Sequence, residues 1–199
     1  MMDIIRSFLA ADISDPARKE VAALVTSLEQ LGADVGWVKP ENLHFTLKFL
    51  GYASQDQVSR TKDLMASISL EQKSFSVHLA GLGGFPNLDR PAVLWVGLDE
   101  GAQAMGVLAQ KLELGVSAIG FHEEGRPFSA HLTLGRVRSS RALSNLSQKI
   151  KLSTFSSSHR IVLDHLTFYK STLTQQGPIY EVIAKTYFQK TLHSDGSKF

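Results

Sequence analysis

The 199-residue sequence contains no cysteine. That excludes disulfides, thiolate catalysis and cysteine-based zinc sites, and it fits a cytoplasmic setting. There is no run of about 18 apolar residues, so no transmembrane helix and no membrane partner is expected. The opening "MMDIIRSFLAADIS" carries an acid at position 3 and lacks a long apolar stretch, which makes it a poor signal peptide. No linker or low-complexity segment divides the chain, so residues 1–199 read as one domain. No HxH, HExxH or carboxylate cluster signals a metal. "GLGGFP" (81–86) lacks the Lys-Ser/Thr of a phosphate loop, which leaves a turn as its expected structure. Neither a metal nor another cofactor is expected.

Hydrophobic residues make up 43% of the chain, enough to build a core. The net charge is only +2, but it is unevenly spread. Residues 1–130 hold 11 Lys/Arg against 16 Asp/Glu, and residues 131–199 hold 10 against 3. A basic C-terminal third fits contact with a polyanion, and it fits an ordinary solvated surface equally well.

Val21, Leu24, Val25, Leu28 and Leu31 recur at helical spacing and predict a helix over 14–32, capped by Ser14 or Asp15. "SQDQ" (54–57) fits a capping box for a second helix over 54–68. Shorter helices are expected over 102–114 and 140–150. Strands are expected over 4–10, within 37–51, over 73–87 running into the Gly-rich turn, and over 92–98, 130–138, 160–170 and 179–188. The order is not a regular βαβ alternation, which predicts an α+β fold with mostly antiparallel sheets. The polar end "HSDGSKF" (193–199) is expected to fray.

The pattern His-x-Thr occurs three times: His44 with Thr46, His131 with Thr133, and His165 with Thr167. On a strand, alternate side chains share a face, so each pair offers an imidazole and a hydroxyl about 7 Å apart. Phe45 and Leu47, and Leu132 and Leu134, then point the other way into a core. Two such strands meeting at one cleft make a phosphate site with two proton-transfer groups. One neutral ring takes a proton from water and one protonated ring gives a proton to the leaving oxygen, while two hydroxyls hold the non-bridging oxygens. Only "HFTL" and "HLTL" end in Leu. With 7 His, 10 Thr and 26 Leu in the chain, chance supplies roughly 0.05 copies of HxTL. Spacing alone does not decide which two of the three pairs meet.

The matching segments run through nearly the whole chain: "RSFLA" (6–10), "WVKPENLHFTLKFLG" (37–51), "GLGGFPNLDRPAVLWVGL" (81–98), "FSAHLTLGRVR" (128–138) and "FYKSTLTQQGPIYEVI" (168–183). In these the sequence resembles the two-histidine (2H) phosphoesterases, and among them the RNA 2′,3′-cyclic phosphodiesterases, also called 2′-5′ RNA ligases. The resemblance implies a bilobal α+β fold: two pseudo-symmetric, mostly antiparallel sheets with helices outside and a central cleft carrying two HxT motifs. It implies metal-independent hydrolysis of RNA 2′,3′-cyclic phosphate ends to 2′-phosphates, with reversible ATP-independent 2′-5′ ligation. The partner it implies is RNA with such ends, tRNA fragments among them, and a monomer is expected. His44 would be the general acid and His131 the general base. Thr46 and Thr133 would bind the phosphate, with Arg136 beside them. A 2H enzyme acting on 2′-5′ oligonucleotides or small cyclic phosphates is the alternative within the class. A non-catalytic RNA-binding module is the alternative outside it.

Two details depart from the pattern. The family commonly has Pro before the second His, where this chain has Ala130. Strict alternation puts Arg136 on the face opposite His131, unless a bulge or strand end at Gly135 turns it. Alternation also puts Lys48 on the face of His44, lining the cleft or reaching solvent at its rim. His165 is expected to be structural. His78, His122, His159 and His193 have no motif around them. Phe8, Phe45, Trp95 and Tyr169 are candidates for stacking on a base, but Phe45 by parity and Trp95 by its apolar strand are expected in the core.

Overall fold

The computed structural model describes residues 4–190. His193 and the polar end lie outside these residues. Among them the chain order is β1 (Ile5–Asp12), α1 (Asp15–Glu29), β2 (Val35–Trp37), a 3₁₀ turn (Pro40–Asn42), β3 (His44–Ala53), α2 (Gln55–Glu71), β4 (Phe75–Phe85), β5 (Val93–Glu100), α3 (Ala102–Ser117), β6 (Leu132–Val137), α4 (Leu143–Lys151), β7 (Ser156–Leu163), β8 (His165–Thr174) and β9 (Gly177–Tyr187).

Local signals account for the helix ends. Pro16 sits in the first turn of α1, where a missing N–H costs nothing, and Ala17, Val21, Val25 and Leu28 form its buried stripe. The capping box before α2 is complete. Ser54 Oγ accepts from the Gln57 N–H, and Gln57 Oε1 accepts from the Ser54 N–H.

The strands form two antiparallel sheets, ordered β3-β1-β8-β9 and β2-β6-β5-β4-β7. The first sheet takes strands from both ends of the chain, and the second is built from β2 and the stretch from β4 to β7. Helices α2 and α3 pack on the first sheet, and α1 and α4 on the second. Leu9, Phe45, Leu47, Leu132, Leu134 and Phe168 all enter one apolar core, so the backs of the two HxTL strands are buried together. The fold class is therefore α+β with two antiparallel sheets. No helix among the described residues is long and apolar enough to cross a membrane.

Two expected elements are different. The strand expected over 160–170 is two strands, β7 and β8, which turn at Asp164 and join different sheets. Both halves alternate side chains, so nothing local marks the switch. The expected turn at 81–86 is mostly strand, because β4 runs through to Phe85. Gly81 has φ +71° and is the extra residue between the pairs Ala80–Gly97 and Leu82–Val96, a bulge that only glycine adopts without strain.

Both HxTL strands are broken at the same place. Along β1 and β3 the pair Ala10–Thr46 is followed by Leu9–Lys48, which leaves Leu47 as an extra residue. Along β5 and β6 the pair Trp95–Thr133 is followed by Leu94–Gly135, which leaves Leu134 extra. A bulge of this kind reverses the facing of the side chains that follow it, on β3 as far as the second irregularity at Leu50.

Candidate active site

The bulge at Leu134 puts Arg136 on the face of His131. Arg136 pairs with Val93, and Val93 shares a face of β5 with Trp95, the partner of Thr133. Thr133 and Arg136 therefore share the face of His131, although simple alternation would separate them. The bulge at Leu47 does the opposite for Lys48, correcting its expected place in or beside the cleft. Lys48 is opposite the core residue Leu9 and only 3% exposed. Its ammonium donates to Glu113 at 2.9 Å and to the carbonyl of His122 at 2.8 Å. Burial opposes the charge on Glu113, but the bonds from Lys48 and from the Glu124 N–H, with the charge of Lys48, together outweigh it and keep this carboxyl below its ordinary value.

The two histidines are held by one device used twice. His44 Nδ1 donates to the carbonyl of Asn42, two residues back, at 2.7 Å. His131 Nδ1 donates to the carbonyl of Ser129, also two residues back and also at 2.7 Å. A carbonyl only accepts, so the proton on Nδ1 is fixed and Nε2 is the atom free to exchange protons. His44 Nε2 lies 2.9 Å from Thr46 Oγ1, with the donor set by the charge of the ring. The turn before His44 is itself tied down. Arg18 donates to the carbonyls of Ile13, Pro40 and Leu43, and Asn42 Nδ2 to that of Pro178.

Aromatic walls flank both rings. Phe8 stacks on His44 at 4.9 Å and Tyr180 meets it edge-on at 5.4 Å. Phe85 meets His131 edge-on at 5.0 Å, and Trp95 tilts against it at 6.5 Å. Trp95 is thus on the cleft face and not in the core, because it pairs with Thr133. Its indole lies over bare backbone: a Cβ at Gly83 would be 2.2 Å from the ring. Phe45 is fully buried, as its parity implies. Phe8 and Tyr169 stack on each other at 5.2 Å and wall the His44 side. A cavity opens there, lined by Arg18, Glu41, Asn42, Leu43, His44, Tyr169 and Tyr180.

The surroundings of the two rings differ in charge. Burial lowers the pKa of His44, the Asn42 carbonyl and the Asp12 carboxylate push it back up, and Arg18 adds to the lowering. Burial also lowers His131; the Ser129 carbonyl opposes this and Arg136 reinforces it. Arg136 acts electrostatically on Tyr180 too, and Tyr180 touches His44. The guanidinium is therefore within electrostatic reach of both halves of the site.

The third HxT has a different place. Thr46 and Thr167 pair with the same residue, Ala10, from opposite sides, so His44 and His165 flank the same end of β1. His165 is not free to titrate as a base. Its Nε2 donates to Asp12 at 2.9 Å and its Nδ1 to Asp164 at 2.5 Å, which requires a proton on both nitrogens. The Asp12 bond raises its pKa, against burial and with help from Asp164. Thr167 is fully buried and also donates to Asp12. Among the other histidines, His78 is fastened to Asp99 and the Ser157 carbonyl on the far edge of β4. No motif marks Asp12, Phe85 or Tyr180; Asp12 reaches the site by pairing with His44, and Tyr180 and Phe85 by ring contacts with His44 and His131.

The two halves of the chain match one family model separately: residues 12–95 and 96–180 each fit LigT-like phosphoesterase. Each match contains one HxTL strand. The chain belongs to the LigT-like phosphoesterase family. Among relatives of this phosphoesterase, a protein of Aeropyrum pernix named RNA 2′,3′-cyclic phosphodiesterase is 32% identical over 163 residues, covering 82% of this chain and 92% of the relative. A protein of the same name from Methanothermobacter thermautotrophicus is 31% identical, covering 88% and 95%. Among solved structures, the TT0787 protein of Thermus thermophilus superposes with a TM-score of 0.78 at 23% identity, covering 92% of this chain and 98% of that one. Escherichia coli LigT complexed with 3′-AMP gives 0.77 at 21% identity, covering 94% and 99%. These structures share the LigT-like fold.

Proposed function

We propose that this phosphoesterase hydrolyses RNA 2′,3′-cyclic phosphate ends to 2′-phosphates, without a metal. The observation that carries the reading is the repeated device: two imidazoles, each on an HxTL strand with Nδ1 fastened to the carbonyl two residues back, which leaves Nε2 of each ring to exchange protons. In the reaction, His131 Nε2 takes a proton from water as its oxygen attacks phosphorus. The P–O3′ bond breaks and O3′ takes the proton from His44 Nε2. The product is a 2′-phosphomonoester with a free 3′-hydroxyl. Thr46 and Thr133 donate to the non-bridging oxygens, and Arg136 offsets the charge that builds there. The order of acid and base is supported by the carboxylate near His44 and the guanidinium near His131. The names of the relatives support the substrate.

With an RNA 5′-hydroxyl in place of water as the nucleophile, the same step joins strands by a 2′-5′ bond without ATP, and its reverse, attack of O3′ on that bond, restores the cyclic phosphate and the 5′-hydroxyl. The reading takes the enzyme as a cytoplasmic monomer, which the absence of cysteine allows; size-exclusion chromatography and cell fractionation check the two parts.

One incubation tests the main claim. An RNA ending in a 2′,3′-cyclic phosphate is supplied with EDTA, and the product is identified. A 2′-phosphate that disappears with His44→Ala and with His131→Ala is the expected result. Loss of activity with EDTA sinks the metal-free mechanism. Turnover only of 2′-5′ oligonucleotides or small cyclic phosphates moves the substrate, and binding without turnover makes the protein an RNA-binding module.

A further inference from the structure

We propose that Asp12, gripped by the third HxT pair, is the positioning residue that favours the protonated, proton-donating state of His44. The inference rests on the reading of His44 as the acid and extends it to a residue outside the two motifs.

The geometry is a row across three strands. Asp12 on β1 is paired directly with His44 on β3. On its other side β8 brings His165 and Thr167. The carboxylate accepts four hydrogen bonds: from His165 Nε2 and Thr167 Oγ1 at 2.9 Å each, from Tyr169 OH at 2.7 Å and from Lys185 Nζ at 3.0 Å. Four donors on two oxygens fix the carboxylate in place and keep it ionised. Burial opposes the charge, yet the bonds from His165, Tyr169, Lys185 and Thr167 hold this carboxyl well below the usual range. A fixed negative charge beside a buried imidazole stabilises the imidazolium, which burial alone would discharge. Among the described residues, no carboxylate acts on the second motif's histidine. The charged group acting on His131 is Arg136, which favours the neutral ring. The two half-sites thus share their hydrogen-bonding device and differ in the sign of the charge behind it, so the acid is on the Asp12 side.

Other groups face His44 and enter the balance. Arg18 of α1 opposes the imidazolium. Glu41 of the 3₁₀ turn lines the same cavity. Tyr169 and Tyr180 pack near the ring, and burial raises both phenols, so they stay neutral. Behind Asp12, His165 and Lys185 are cations that partly mask its charge.

That masking gives the inference a two-sided test. The His44 imidazole is titrated by NMR in the free protein, and the pH dependence of kcat/KM is measured on an RNA 2′,3′-cyclic phosphate. In Asp12→Asn the His44 midpoint falls by about 1 pH unit, and the alkaline limb of the profile moves down with it. In Lys185→Met the unmasked carboxylate moves both upward. The His131 midpoint stays in place in each variant. Lys185 is about one-third exposed, so its variant keeps the fold even if Asp12→Asn does not. An unmoved His44 midpoint, shifts of the same sign in both variants, or movement of the acid limb instead overturns the inference. A uniform loss of rate at every pH leaves Asp12 with a purely structural role and does the same. If no cyclic phosphate is turned over, the functional reading fails, and the imidazole titration still decides this one.

Discussion

Leu47 and Leu134 occupy equivalent places: each is the extra residue of a β-bulge immediately after the threonine of an HxTL strand. Before the bulge, His and Thr face the cleft in both strands. After it the facing is reversed in both. Lys48 and Gly135 turn inward, and Phe49 and Arg136 turn to the side of the histidines. The fourth position of the motif is thus where the strand changes face, and an apolar residue there anchors the change in the core.

Lys48 consequently belongs to the stability of the fold. Removing one partner of a buried ion pair leaves the other uncompensated. Lys48→Ala is expected to cost about 3 kcal/mol, with part of the full penalty relieved because Glu113 is partly exposed. Urea unfolding checks the cost. The folded protein should keep its kcat, and a loss of kcat at unchanged stability would return Lys48 to the cleft.

Gly83 leaves room for the Trp95 indole beside His131. In Gly83→Ala the new methyl meets ring atoms 2.2 Å away, so the indole must move. The expected loss in kcat is about tenfold to a hundredfold, from displacing a wall of the site. The indole N–H resonance of Trp95 should shift in the same variant; an unmoved resonance with normal kcat refutes the assignment.

The profile of kcat/KM against pH should be bell-shaped and centred below about 6.5, the ordinary histidine value, because burial lowers both His44 and His131. The acid limb follows the base, His131, and the alkaline limb the acid, His44. Bound phosphodiester adds a negative charge that favours both imidazolium forms, so the bell for kcat should lie at higher pH. Rate measurements between pH 4 and 9 decide this. A flat profile, or a kcat bell shifted to lower pH, contradicts it.

Asp12 should also shape acid unfolding. Its carboxyl is depressed in the folded state, so the unfolded chain takes up the proton first, near pH 3.9. The stability it contributes is complete above that value and is lost as pH falls toward the folded pKa. Asp12→Asn should therefore flatten the dependence of unfolding free energy on pH below about 4. Denaturant titrations at pH 2 to 5 measure it, and an unchanged slope removes the carboxylate from the account.

His165 shows how far a motif can be read without its neighbours. Its sequence context differs from the other two HxT pairs, and the reason appears only in the sheet, where both its nitrogens are taken by carboxylates. His165→Asn should reduce the rate far less than His44→Asn, for which a loss of about a hundredfold to ten-thousandfold is expected. Comparable losses in the two would make His165 part of the chemistry.

By itself the sequence determined what depends on neighbours along the chain. The capping box at Ser54 started α2, the stripe through Val21 and Leu28 set α1 on the core, and alternation put His44 with Thr46 and His131 with Thr133. The tertiary structure alone decided what depends on pairing. A bulge is a mismatch between two strands, so neither strand's pattern contains it, and Lys48, Trp95 and Arg136 face where their partners in β1, β5 and β6 put them. The grip of His165 on Asp12 joins residues 153 positions apart. No local periodicity reaches that distance; only the docking of β8 against β1 brings the carboxylate and its four donors together beside His44.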